Sequence, residues 1–341
     1  MKKQTLAGTD LEVGRICLGT GGFGEKTDDK QARLLLDCFV DGGGCFIDTA
    51  NVYCRWVPGR GNSSEQYIGR WLRDRKASGK VVVATKGGHY DLSRPQISRV
   101  TEADVRKDLE DSLRTLGLER IDLYWLHRDN PDLPVSEIIG FMEELKQEGK
   151  IRFYGASNFP RERMDEAVRY ARENGIQGFS AVSNQWSIAS VNPGKNLNQD
   201  RTLVITDAAY QRWHEKTGIP LIPFSSGAQG FFSRLERAGV QAKGGAVVRE
   251  GELSLIPQSV RDAYLNRRNL AIYERFLEIK KETGISMHSL TLLSLLGRSF
   301  QVIPVAAASR PDQVEEILEA GETDIMQDLA KEIQRFEEEE A

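Results

Sequence analysis

Short apolar runs alternate with segments whose apolar residues recur every three or four positions, and the alternation persists along nearly the whole chain. The apolar runs predict strands at 15–19, 45–49, 80–86, 121–127, 151–158, 179–186, 220–226 and 301–307. The helical periodicity predicts helices at 29–43, 63–75, 101–117, 134–150, 160–175, 206–218, 269–284, 286–298 and 311–321. Stop and start signals agree with these bounds. Ser63 stands where an N-cap is wanted, Thr101 and Asp104 form a Thr-x-x-Asp start close to a capping box, and glycines close several helices.

Strands that alternate with helices imply parallel βαβ units. Near-continuous apolar strands such as KVVVATK (80–86) imply a sheet covered on both faces. Eight such units favour an α/β fold of the (β/α)8 TIM barrel type, with an open doubly wound sheet as the runner-up. No Pro/Gly/Ser linker divides the chain, so residues 1–341 are expected to form one barrel domain. Two stretches exceed ordinary loop length, 187–205 and 227–265, and are expected to act as lids or binding loops. The charged end KEIQRFEEEEA (331–341) reads as a solvated helix end.

Composition narrows the partners. The 341 residues are 40% hydrophobic and 28% charged with a formal net charge of −4, so no basic field invites nucleic acid or an anionic membrane. No apolar run approaches the roughly 20 residues a membrane span needs. The start MKKQTLAGTD lacks the apolar segment of a signal peptide. Cys17, Cys38, Cys45 and Cys54 lack CxxC spacing and a histidine cluster. They read as small hydrophobes in a cytoplasmic protein, and no metal is expected. The oligomeric state is not fixed by any of these features.

Candidate chemistry collects where strands run out. FIDTANVY (46–53) ends a strand on Asp48 and brings Tyr53 five residues later. Lys86 ends the third strand, His127 the fourth, Asn158 the fifth, and Gln185 falls at the end of the sixth. In a barrel of this kind those ends ring one mouth. Singly, Asp48 reads as a loop cap, Lys86 as a snorkelling strand end and His127 as a structural histidine; on successive strands they read as a site. A phenol titrates near pH 10, a neighbouring ammonium lowers that value, and an acid fixes the ammonium in place. Asp48, Tyr53 and Lys86 supply those parts, and His127 can orient a carbonyl. None of these side chains donates hydride, so a nicotinamide cofactor is expected.

In order and spacing the chain resembles an aldo-keto reductase. LAGTDLEVGRICLGTGGFG (6–24), FIDTANVY, GNSSEQYIG (61–69), VATKGG (83–88), IDLYWLH (121–127), IRFYGASN (151–158), NQWS (184–187), PFSSGAQGFF (223–232) and SRPDQVEE (309–316) carry the resemblance. It implies Tyr53 as general acid/base, tuned by Lys86 and Asp48, with His127 orienting the substrate carbonyl. It also implies that Ser157, Asn158 and Gln185 hold the nicotinamide carboxamide and that Phe224 stacks on its ring. Thr20, Gly21, Asp48, Ser225 and Ser226 would complete the nicotinamide side, and Ser309, Arg310, Gln313 and Glu316 the adenosine side. GTGGFG (19–24) has glycines at GxGxxG-like spacing but reads as a strand–loop turn. Arg310 favours NADPH (NADP+) through a 2′-phosphate. Ala306 and Ala307 where the family has Pro-Gly, and Ile317 where it often has Asn, leave NADH open.

The substrate is expected to be a small carbonyl or alcohol compound. Trp56 and Trp186 would wall the mouth, with Trp125 inside its strand as core. Aromatic walls with polar neighbours suit a sugar aldehyde, a keto-sugar or a related polyol. Arg55, Arg60 and Arg128 at the same rim would instead read an anionic group. A non-catalytic nicotinamide-binding subunit is the alternative function, against which the complete set of four site residues argues. A lyase or isomerase on the same barrel lacks metal ligands and a phosphate-loop signature.

Overall fold

The computed structural model describes residues 1–195, 200–324 and 331. Most of the expected tail, and residues 196–199 of the expected 187–205 loop, lie outside the described residues. A hairpin of β1 (Lys3–Thr5) and β2 (Glu12–Gly14) opens the chain. Seven parallel strands follow: β3 (Cys17–Gly19), β4 (Phe46–Asp48), β5 (Val82–Gly87), β6 (Ile121–Leu126), β7 (Ile151–Ser157), β8 (Val182–Ser183) and β11 (Val305–Ala307). Their order is β11-β3-β4-β5-β6-β7-β8.

The remaining position is filled by the segment expected at 220–226, which forms bridges rather than a regular strand. Leu221 pairs with Val182 on one side and Val302 on the other, and Phe224 pairs with Gln185. The N–H of Ile222 donates to Val182 at 2.8 Å and that of Leu221 to Gln301 at 2.9 Å, so the segment joins β8 to residues 301–303 just before β11 and closes the ring. Pro220 and Pro223 explain the irregularity, because proline has no N–H for a ladder. Their carbonyls still accept, from Val182 and Val305 at 3.0 and 2.9 Å.

Helices α1 (Asp29–Asp41), α2 (Ser63–Arg75), α3 (Glu102–Leu116), α4 (Val135–Gln147), α5 (Arg161–Glu173) and α6 (Ala208–Thr217) cover the sheet. The capping expected at 101 is present: the Thr101 hydroxyl accepts from the N–H of Asp104 at 3.2 Å. Asn62 rather than Ser63 occupies the cap of α2. The stretch 227–265 is not the irregular loop its polar composition suggested. It holds α7 (Phe231–Arg237), a hairpin of β9 (Gln241–Lys243) and β10 (Ala246–Arg249), and α8 (Gln258–Tyr264). Then come α9 (Arg267–Thr283), α10 (Met287–Leu296) and α11 (Pro311–Glu322).

The core divides into two clusters, and strand alternation decides which residue joins which. Cys17, Phe46, Ala84, Leu123, Trp125, Ala181, Ile222 and Ile303 pack together inside the barrel, where Leu6, Leu11 and Val13 of the opening hairpin plug one end. Their neighbours Leu18, Ile47, Val83, Tyr124, Val182 and Leu221 face outward to the helices. Trp125 fits inside because its register partner is Gly155, where a Cβ would lie 2.2 Å from the indole. Among the described residues no helix is long and apolar enough to cross a membrane.

Candidate active site

Adding two to each inward position reaches the mouth. Phe46 leads to Asp48, Ala84 to Lys86, and Leu123 through Trp125 to His127. The polar residues are thus the top layer of the interior, and all three are buried. Beyond Asp48 the chain keeps pairing with β5, the N–H of Thr49 donating to Ala84 and that of Asn51 to Lys86. This carries Tyr53 back over Lys86, half-buried above the pair.

Lys86 is the hub. Its ammonium forms an ion pair with Asp48, donates to the Thr49 carbonyl at 2.7 Å and reaches the Tyr53 hydroxyl at 3.3 Å. It also stands 5.0 Å from the Tyr53 ring centroid. Burial works to lower the Lys86 pKa, but Asp48 and Tyr53 outweigh it and keep the ammonium charged. Burial raises the Asp48 carboxyl while Lys86 pulls it back. The Trp125 indole favours the charged carboxylate from below, although its N–H lacks full hydrogen-bond geometry. Burial also pushes the Tyr53 phenol above its ordinary value, and Lys86 only partly reverses this. The expectation of a net lowered phenol is therefore corrected: desolvation of the phenolate exceeds the pull of the ammonium.

His127 faces Tyr53 edge-on, ring centroids 6.0 Å apart. Burial, with His89, Arg128 and Lys86 nearby, holds its pKa well below the ordinary value, so the ring is neutral. Its Nδ1 is buried and has no partner among the described residues. A buried N–H without an acceptor is costlier than a bare lone pair, so the proton belongs on Nε2. One titratable side chain that sequence reasoning did not single out also reaches the mouth. His89 is buried against His127, ring centroids 4.8 Å apart. Its signal was its position three residues after Lys86, in what read as a plain loop.

The carboxamide candidates differ in their engagement. Ser157 donates to the Ser183 carbonyl at 2.7 Å. Asn158 has φ +60°, the left-handed region, and its amide donates to His127 O and Ser157 Oγ and accepts from Val204 N–H, each at 3.1 Å. Gln185 is buried, and its amide oxygen has no partner among the described residues. Thr20 donates to the Asp48 carbonyl at 2.8 Å, and Gly21 runs beside the Tyr53 ring. Phe224 is partly exposed beside Gln185; Ser225 is at φ +59° and Ser226 donates to the Pro223 carbonyl at 2.8 Å.

At the start of α11, Gln313 accepts from the Ser309 N–H and hydroxyl at 2.8 and 3.0 Å. Arg310 is exposed and pairs with Asp312 at 2.7 Å. Glu316 is raised in pKa by partial burial. Ile317 is fully buried among the core residues rather than turned toward a ligand.

One substrate candidate falls elsewhere and another is tied down beside His127. Trp186 joins the outer core with Arg298 over its ring at 5.0 Å, because Gln185 takes the inward position and alternation turns the next residue out. Arg128 is buried, donating to the His127 carbonyl, Thr202 and Asp200 at 2.7 Å each. It fastens the 200–202 segment and presents no open fork. Arg55 is bound to Asn51. Trp56 does stand at the mouth, exposed, its ring centroid 6.2 Å from that of Tyr53.

The sequence model of the Aldo/keto reductase family matches residues 15–338. The chain belongs to that family. An oxidoreductase of Bacillus subtilis is 26% identical over 337 residues, covering 97% of this chain and 94% of the relative. An aryl-alcohol dehydrogenase of Pestalotiopsis microspora is 26% identical, covering 95% of this chain and 79% of the relative. Norsolorinic acid reductase B of Aspergillus parasiticus is 25% identical, covering 92% and 78%. Among solved structures, an aldo-keto reductase from Bacillus halodurans in its holo form superposes with a TM-score of 0.69 at 26% identity, covering 98% of this chain and 96% of that one. The protein is an enzyme, an oxidoreductase of the aldo-keto reductase family that uses a nicotinamide cofactor.

Proposed function

We propose that the protein is an NADPH-dependent reductase of aldehydes or ketones, with Tyr53 delivering the proton to the carbonyl oxygen. The bound cofactor supplies hydride to the carbonyl carbon. The observation that carries the reading is the Lys86 ammonium held between Asp48 and the Tyr53 hydroxyl. A raised phenol stays protonated at neutral pH and is therefore ready to give its proton as negative charge grows on the substrate oxygen. Lys86 stabilises the phenolate left behind, and Asp48 keeps Lys86 charged and in place. Neutral His127 donates from Nε2 to the same oxygen and orients it.

The amide oxygen of Gln185 lacks a partner, which suits the N–H groups of a nicotinamide carboxamide. Ser157, Asn158 and Thr20 shape that wall, and Phe224 offers an aromatic face. Arg310, already charged and exposed, is the group for a 2′-phosphate and the reason NADPH is favoured over NADH. The chain acts as one domain in the cytoplasm on this reading.

The sugar-derived substrate rested on aromatic walls at Trp56 and Trp186, and Trp186 packs in the outer core. Trp56 and Tyr53, with the exposed apolar Leu92 and Ile97 on the loop after β5, favour an aryl aldehyde or ketone instead. The names of the aryl-alcohol dehydrogenase and norsolorinic acid reductase relatives point the same way. Sugar aldehydes are the second reading. Fluorescence titration with NADPH and NADH, followed by absorbance assays on benzaldehyde and glyceraldehyde, tests all of this. We expect micromolar or tighter NADPH binding and faster turnover of the aromatic aldehyde. Binding of neither cofactor would end the reductase reading.

A further inference from the structure

A cavity reaches Lys86 between the turn after β4, the loop after β5 and α3. Asn51, Arg55, Lys86, His89, Tyr90 and Ile97 line it. Most polar groups on its wall are already spoken for. Arg55 is held by Asn51, and Lys86 by Asp48 and Tyr53. Arg99 is held by Asp104 and Asp108, and its Nη1 also fixes the His89 carbonyl at 3.1 Å. The Asp108 carboxylate in turn accepts from the Gly88 N–H at 3.0 Å. The loop that carries His89 is therefore anchored at two consecutive backbone positions.

Exposed Lys107 has no partner among the described residues, and among the buried groups of the wall the His89 imidazole is the exception. Its Nδ1 lies 2.9 Å from the Tyr90 carbonyl oxygen. A carbonyl oxygen only accepts, so Nδ1 carries the proton and Nε2 carries a lone pair. Nε2 has no protein partner among the described residues, and it is not sealed from the cavity. The ring is fixed between Tyr90, centroids 4.1 Å apart, and His127 at 4.8 Å. Burial and the charge of Arg128 lower the His89 pKa to about 4, so the acceptor persists at neutral pH. The mouth thus presents two neutral imidazoles side by side with opposite polarity. His127 offers a donor to the carbonyl oxygen, and His89 offers an acceptor next to it.

We propose that His89 is a specificity residue whose Nε2 accepts a hydrogen bond from a hydroxyl on the substrate, so that the preferred substrates are carbonyl compounds carrying a free hydroxyl near the reacting group. This rests on the reductase reading above and adds to it which carbonyl compounds are taken. A methyl ether of the same compound keeps the ring and the oxygen but cannot donate and carries one more methyl, so the contact is read from how the ratio of the pair changes when His89 is replaced.

The test compares 2-, 3- and 4-hydroxybenzaldehyde with their methoxy counterparts, reading kcat/KM with NADPH for the wild-type protein, His89→Phe and His89→Gln. In the wild type, at least one hydroxy isomer should exceed its methyl ether by about tenfold, the size of one net hydrogen bond. In His89→Phe that ratio should fall to within about twofold, whatever the overall rate. His89→Gln places an amide oxygen near the lost Nε2 and should restore part of the ratio. A wild-type ratio near one for all three isomers overturns the proposal, even if a variant fails to fold. A ratio unchanged in His89→Phe overturns it as well. Absence of turnover of every aldehyde, with cofactor bound, would instead count against the reductase reading itself.

Discussion

Lys86 and Arg310 are both cations paired with an aspartate at the same end of the barrel, one at a sealed strand end and the other on a helix surface. Lys86 and Asp48 are buried, and the remaining donors of Lys86 are taken by the Thr49 carbonyl and the Tyr53 hydroxyl. Arg310 and Asp312 are about half exposed and touch little else. A buried pair is fixed by everything around it, and breaking it leaves a charge in a poor solvent. An exposed pair is screened and easily exchanged for a better partner, such as a ligand phosphate. The first arrangement suits a fixed proton-delivery unit, the second a binding contact that forms only when the cofactor arrives.

Substitution should separate the two regions. Lys86→Met strands Asp48, and turnover should fall by about 10²- to 10⁴-fold. The same change should cost about 3–5 kcal/mol of stability in urea unfolding. Retained stability would mean that the pair is not sealed. Gly155→Ala probes the packing beneath the site, where the added Cβ meets Trp125 and the Ala181 carbonyl. Overpacking should cost about 1–3 kcal/mol, visible as a lower Tm. Arg310→Ala should leave stability within about 0.5 kcal/mol. It should instead erode the NADPH preference, and an unchanged NADPH-to-NADH affinity ratio would remove Arg310 from the cofactor site.

Acid probes the buried side of the comparison alone. Unfolded, a histidine binds its proton near pH 6.5, whereas burial leaves His89 and His214 holding theirs only near 4. Between those values the unfolded chain carries more protons, so stability falls as pH drops. Each of the two contributes a slope of about 1.4 kcal/mol per pH unit in that window. The raised carboxyls of Asp48 and Glu65 act with the opposite sign and soften it. Urea midpoints that hold level from pH 6.5 to 4 would contradict this account of the interior.

The cluster of Asp48, Lys86 and His127 was legible because it follows a two-residue period. Asp48, Lys86 and His127 each continue an inward file of apolar residues, and a polar residue at the end of such a file has to face the mouth. The packing of Trp186 and the fastening of Arg128 were not legible, for the complementary reason. Their neighbours Arg298 and Asp200 are far along the chain, and no local pattern announces contacts of that range. His89 was passed over because its burial comes from packing on His127 and Tyr90 rather than from a strand. The β9–β10 hairpin carried a readable sign, Gly244-Gly245 between two short runs, but its mostly exposed residues offered no apolar face to confirm it.

The most direct test of the account is NADPH oxidation with an aromatic aldehyde by wild-type protein and Tyr53→Phe, each first titrated with NADPH by fluorescence. The account predicts cofactor affinity within about twofold and a loss of turnover of about 10²-fold or more, since the variant keeps the ring and loses only the proton. Turnover within a few-fold of wild type at equal cofactor occupancy would contradict it, and the proton would have to come from elsewhere.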